Sequence, residues 1–215
     1  MENIIQDLKN AVKNYDPEAA EVAAKRVIEE GFDPVIAIER GLTENLREIG
    51  DKFGSGEVWF IDLMAAANTV QAAVKVLEPE IKRRGIKQKT KGKFLIGTVE
   101  GDIHDIGKNI VVLLLMANGF EVIDIGVDIP VEVFIEKVRE IKPDILGLSS
   151  LLTSSMPQQK KVIEALAENG LRDTVKVLIG GAAVNEKWAE EIGADGYAED
   201  AVDSIKVVTA MTLGG

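Results

Sequence analysis

The stretch Lys93-Phe94-Leu95-Ile96-Gly97-Thr98-Val99-Glu100-Gly101-Asp102-Ile103-His104-Asp105-Ile106-Gly107 reads as an apolar strand, a polar turn and the entry to a helix. His104 is the only histidine in the chain and stands between two carboxylates, Asp102 and Asp105. Working outward, the same alternation recurs. Near-continuous apolar strands are expected at 94–99, 121–125, 145–149 and 175–179, with a weaker one near Gly196-Tyr197. Amphipathic helices are expected at about 105–118, 131–141, 156–168, 186–192 and 201–212. Strands without an exposed face, alternating with helices, predict a parallel sheet covered on both sides. A doubly wound five-stranded sheet binds its ligands at the carboxyl ends of its strands. Residues 98–107, Ser149 to Ser155 and Gly180-Gly181 all lie at such ends, so three loops converge on one edge.

The N-terminal part has a different period. Asp16-Pro17 and Asp33-Pro34 each offer a capping carboxylate followed by proline at the first helical position. Gly31 and Gly85 mark helix ends, the latter behind Lys82-Arg83-Arg84. Apolar residues recur at helical spacing between these marks, which predicts four helices in a small bundle. The polar, basic run from 86 to 92 reads as a linker. The expected division is a helical domain of residues 1–88 and an α/β domain of residues 89–215.

Composition narrows the chemistry. The chain has 215 residues, 46% of them hydrophobic and 28% charged, as expected of a globular protein. A net charge of −11 argues against a nucleic-acid partner, since phosphate would be repelled. No membrane association is expected: the longest apolar run, 110–117, is too short to span a bilayer, and the first residues carry no secretory pattern. With no cysteine, disulfides, thiolate nucleophiles and cysteine-held clusters are excluded. With one histidine, a transition metal would have to bring most of its ligands from outside the protein.

Asp102-x-His104-x-x-Gly107, then Ser149-x-Leu151, then Gly180-Gly181 resembles the cobalamin-binding signature of corrinoid methyltransferases, cobalamin-dependent mutases and methionine synthase. From about residue 5 to 210 the chain resembles the small stand-alone corrinoid proteins of anaerobic methyltransferase systems. That resemblance implies a helical cap followed by a Rossmann-like (flavodoxin-like) sheet. It implies cobalamin or a related corrinoid as cofactor, cycling between methyl-Co(III) and Co(I).

His104 would be the cobalt ligand, in place of the cofactor's dimethylbenzimidazole, with Asp102 and Ser155 as a hydrogen-bonded relay that takes up a proton when the ligand is released. Ile103, Asp105 and Gly107 belong to the same turn. Gly147, Ser149, Leu151, Thr153, Gly180 and Gly181 would line the slot for the nucleotide tail, and Ala201 would close over it. Trp59, Phe60 and Met64 would cap the upper face, although relatives usually place other residues around this point than Ile61 and Asp62.

The implied partners are a substrate-specific methyltransferase, an acceptor-side methyltransferase serving a thiol coenzyme or tetrahydrofolate, and a reductive activation protein, in the cytoplasm. The chain would be a methyl carrier, non-catalytic alone. Competing readings are a cobalamin-dependent sensor, the cobalamin subunit of a mutase, and a flavodoxin-like domain. Sensors of this type carry a DNA-binding module ahead of the bundle and, in the light-responsive type, a second histidine in the cap; neither is expected from these residues. Taken singly, Gly180-Gly181 reads as a turn, Ser149 as a strand end and Ser154-Ser155 as helix caps. Trp59, Phe60 and Met64 also fit ordinary core packing.

Overall fold

The computed structural model describes residues 2–85 and 90–213. Residues 86–89 of the expected linker, and with them the expected boundary between 88 and 89, lie outside the described residues. The chain divides into two compact units, one helical and one α/β.

In the helical unit, α1 (Glu2–Lys13) and α2 (Pro17–Glu29) are followed by α3 (Pro34–Ile36), a π-helical segment (Ala37–Thr43) and α4 (Glu44–Gly54) in one continuous rod. The long α5 (Phe60–Arg84) comes last. The caps are those the sequence marks. Asp16 accepts the Ala19 amide at 2.9 Å, Asp33 accepts the Val35 amide at 2.8 Å, and Gly85 ends α5 at φ +63. The π segment has no sequence signal of its own. It contains Gly41, where a Cβ would come within 2.8 Å of Leu8, so the rod lies close against α1.

Leu8, Val12, Val27, Leu42, Leu46, Leu63 and Leu77 form the core. By length and composition α5 is apolar enough to cross a membrane, yet Leu63, Ala66, Ala73 and Leu77 are buried inside this bundle. Near the end of α5, Glu80 accepts hydrogen bonds from Arg83 and Arg84 at 2.6–2.7 Å, and Arg84 also reaches the Phe32 carbonyl at 3.1 Å. The Arg83 and Arg84 guanidiniums lower the Glu80 carboxyl to about 2.

The second unit is a parallel sheet of β1 (Lys93–Thr98), β2 (Glu121–Asp124), β3 (Ile145–Ser149), β4 (Lys176–Gly180) and β5 (Gly196–Ala198) in the order β2-β1-β3-β4-β5. Between and after the strands run α6 (Ile106–Ala117), α7 (Val131–Ile141), α8 (Met156–Glu168), α9 (Glu186–Ile192) and α10 (Ala201–Leu213). Side-chain alternation divides the strands between two cores. Leu95, Val99, Leu146, Leu148, Val177 and Ile179 pack with Phe134, Val162 and Ile192. Phe94, Ile96, Ile145, Leu178 and Ala198 pack with Leu115 and Val208. Each such side chain, fully buried, contributes about 1.5–3 kcal/mol.

Register then places a row of small residues on the second face at the carboxyl edge. Thr98 pairs with Ser149, Ser149 with Gly180, and Gly180 with Ala198. One row back stands Gly147, between Ile96 and Leu178. Among the described residues, the space between α6 and α10 at this end is left as an open cleft. β1 is flanked by β2 on one side and β3 on the other, so the loops leaving β1 and β3 part at the switch point, where open α/β sheets bind ligands.

Candidate cofactor site

The turn after β1 is built around a buried carboxylate. Asp102 is 0% exposed, and both its oxygens are fully used. Oδ1 accepts the His104 amide at 3.0 Å and lies 2.7 Å from His104 Nδ1. Oδ2 accepts the Leu151 amide at 2.7 Å, the Leu152 amide at 3.2 Å and the Ser155 hydroxyl at 2.9 Å. Burial pushes this carboxyl up. The His104 amide and ring, the Leu151 amide and the Ser155 hydroxyl outweigh it and hold the group well below the usual carboxylate range. Asp102 therefore stays ionised and ties the turn after β1 to the turn after β3.

An ionised carboxylate only accepts, so the Nδ1 facing it carries the ring proton and Nε2 of the neutral imidazole keeps its lone pair. Nε2 has no hydrogen-bond partner among the described residues, and the His104 side chain is 49% exposed. Thr98 Oγ1 donates to the His104 carbonyl at 3.0 Å, which fixes the backbone that carries the ring.

His104 stands at the side of a cleft of about 710 Å³, well within the size range of small-molecule sites. Its floor is the row of small residues: Gly147, Ser149, Gly180 and Ala198. Gly107, Ile110 and Val111 of α6 form one wall, and Ala201 and Ser204 of α10 the other. Ile103 (73% exposed), Ile106 (66%) and Leu151 (41%) leave an apolar rim around the imidazole. A Cβ at Gly107 would meet nothing within 4 Å, and one at Gly180 only the Ala198 carbonyl at 3.5 Å, so both glycines open onto free space. Gly181 is different. At φ +119 its added Cβ would lie 2.0 Å from the Ser150 carbonyl oxygen, so this glycine serves a close approach of two backbones.

Among the expected site residues, Asp102, His104 and Ser155 form one hydrogen-bonded chain. Ile103, Asp105, Gly107, Ser149, Leu151, Gly180, Gly181 and Ala201 line the cleft. Thr153 is not among its lining; it is exposed on the loop after β3, whose turn carries it outward. Ser155 occupies the N-cap position of α8 but makes no capping bond, because its hydroxyl is directed to Asp102.

Trp59, Phe60 and Met64 belong to the helical unit, at the start of α5. Trp59 is 80% exposed, so the core-packing reading of this residue is corrected; Phe60 and Met64 are half-buried. Sequence reading missed Ser150, which is buried and lies 2.8 Å from the Ser155 hydroxyl, and the contributions of Ser204, Ala198 and Ile110 to the cleft. Strand register would have revealed Ala198, since it shares a row with Ser149 and Gly180.

Two family models match, both described as a B12 binding domain, one over residues 92–206 and the other over 4–78. The chain belongs to the B12-binding family. A trimethylamine corrinoid protein of Methanosarcina barkeri is 44% identical over 97% of this chain and 96% of the relative. Among solved structures, the methanol:cobalamin methyltransferase complex MtaBC of Methanosarcina barkeri superposes with a TM-score of 0.89 at 30% identity, over 99% of this chain and 81% of that one. A cobalamin-binding protein of Desulfitobacterium hafniense DCB-2 does so at 0.69 and 34%, over 96% and 98%.

This B12-binding chain takes cobalamin or a related corrinoid as its cofactor, and its cleft fits that group. Among the described residues no cluster of three or more His, Asp or Glu is placed to hold an ion. A metal bound here must therefore arrive with its other ligands, as a corrin's does, beside one free imidazole nitrogen and a cleft floored by small residues.

Proposed function

We propose that the protein carries a methyl group between a substrate-specific methyltransferase and a second methyltransferase that passes it on, without catalysing either reaction alone. The observation that carries this reading is the fixed, uncommitted Nε2 of His104 at the side of the cleft. The corrinoid supplies a cobalt centre able to accept and release a methyl group. The protein's part is to hold and tune it. His104 Nε2 would ligate the metal, while Asp102, held by Ser155 and two amides, fixes the imidazole tautomer.

Gly147, Ser149, Gly180, Gly181 and Ala201 would receive the nucleotide tail, and Ile103, Asp105, Gly107 and Leu151 would lie against the ring. The division into residues 1–88 and 89–215, the cytoplasmic setting, the second methyltransferase and the reductive activation protein belong to the same reading. The similarity to a trimethylamine corrinoid protein makes methylated amines the first donors to test.

The test is reconstitution. Isotopic methyl label should move from a methylated amine to an acceptor thiol only when the cobalamin-loaded chain, reduced to Co(I) with a chemical reductant, is added to the two methyltransferases. Label transfer that proceeds equally without the chain would contradict the assignment.

A further inference from the structure

The turn that carries His104 has a second support, on the side away from the Asp102 carboxylate contacts. Asp128, in the loop between β2 and α7, is one of only a few described non-glycine residues with positive φ, at +54. Aspartate tolerates this left-handed region better than most residues, and strain of this kind persists where the surrounding structure over-determines it. Asp128 makes two bonds to consecutive residues of the turn after β1. Its amide donates to the Asp102 carbonyl at 2.9 Å, and its Oδ1 accepts the Gly101 amide at 2.7 Å. Gly101 itself sits at φ +80, so the chain reverses where Asp128 grips it.

The gripping loop is anchored in turn. Gly126 accepts the Thr98 amide through its carbonyl at 3.0 Å, the Ile129 amide donates to the Thr98 carbonyl at 3.0 Å, and Gly126 donates to Asp124 Oδ1 at 2.9 Å. Asp124 forms an ion pair with the buried Lys108 in the first turn of α6. The loop after β2 thus holds the His104 turn before the imidazole, through Asp128. It also holds α6 just after it, through Lys108.

We infer that Asp128 is a positioning residue for the cobalt ligand: its strained backbone and its carboxylate fix Gly101 and Asp102, and so set where the His104 imidazole stands. Asp102 is bound through its side chain by the loop after β3 and through its carbonyl by the loop after β2. Neither contact alone defines both the position of its backbone and the direction of its carboxylate. This inference rests on His104 being the axial ligand.

Three variants separate it from a merely structural role. Asp128→Gly keeps the positive φ without strain and removes the carboxylate, whereas Asp128→Asn keeps both the conformation and an acceptor oxygen. Each is titrated with hydroxocobalamin, examined in the Co(II) state for axial-nitrogen hyperfine structure, and melted as apoprotein, with His104→Ala in parallel. Asp128→Gly should bind roughly 10-fold more weakly, the lower end of the range for losing an outer partner of a metal ligand, with weakened or heterogeneous nitrogen hyperfine structure. Its apoprotein should melt close to the parent, and Asp128→Asn should behave like the parent. Unchanged affinity and hyperfine pattern in Asp128→Gly would overturn the inference. So would an affinity loss in Asp128→Asn as large as in Asp128→Gly, or one matched by an equal fall in apoprotein stability. If His104→Ala itself keeps the parent hyperfine pattern, the ligation reading fails first and the role of Asp128 with it.

Discussion

Gly181→Ala tests how the site is held together. At φ +119 an alanine is strained whatever the space around it, at about 1–3 kcal/mol. Its Cβ would also lie 2.0 Å from the Ser150 carbonyl oxygen and 2.6 Å from the Ser150 carbonyl carbon, both backbone atoms that cannot rotate away. Relieving the overlap means pushing β4 and the turn after β3 apart, at a further ~1–3 kcal/mol. The expected loss is about 4 kcal/mol, a large part of the 5–15 kcal/mol that stabilises a typical domain.

The displacement begins at Ser150, whose hydroxyl meets Ser155 and whose neighbours Leu151 and Leu152 donate to Asp102. Loss of stability and loss of cobalamin should therefore go together. Urea unfolding of the apoprotein, followed by Trp188 fluorescence in a Trp59→Phe background, isolates the α/β unit. Trp188 reports from close by, since its indole donates to Gln159 Oε1 at 3.1 Å. A Gly181→Ala change below about 0.5 kcal/mol, within the spread of an ordinary surface substitution, would refute the reasoning.

Gly107→Leu is the opposite case: with open space around its Cβ and a better helix former in place, the apoprotein should be as stable as the parent or slightly more so. It should nevertheless bind hydroxocobalamin at least roughly 10-fold more weakly, about 1.4 kcal/mol; parent-like affinity would show that the space beside Gly107 is not used. In the helical unit, the Glu80 carboxyl lies at about 2 when folded against an ordinary 4.5, so its pairing with Arg83 and Arg84 stabilises fully above about 4.5 and is lost as the pH falls toward 2. The stability difference between the parent and Glu80→Gln should accordingly shrink between pH 6 and pH 3, and a difference that stays constant would contradict the pairing.

Much of this was legible in the sequence because the signals are local. Asp16-Pro17 and Asp33-Pro34 announce helix starts, and the apolar runs at 94–99 and 145–149 mark buried parallel strands whose carboxyl ends must face one edge. Asp102-x-His104-x-x-Gly107 falls at that edge by its place in the sequence alone. What stayed hidden depends on backbone geometry between distant segments. No pattern in the sequence tells that the Leu151 and Leu152 amides turn toward Asp102, or that Asp128 adopts a positive φ to hold Gly101. Nor does Gly180-Gly181 reveal that one glycine opens the cleft while its neighbour touches Ser150. The π segment at 37–43 was equally silent, since its apolar spacing fits an α-helix.

Because the chain contains a single histidine, labelling all histidine with nitrogen-15 marks His104 alone. The labelled protein, loaded with unlabelled cobalamin and reduced to Co(II), should show its axial-nitrogen splitting change from the triplet of nitrogen-14 to the doublet of nitrogen-15. A triplet that survives the labelling would mean that the cofactor's own base still occupies the lower face, and the role given to His104 would be wrong.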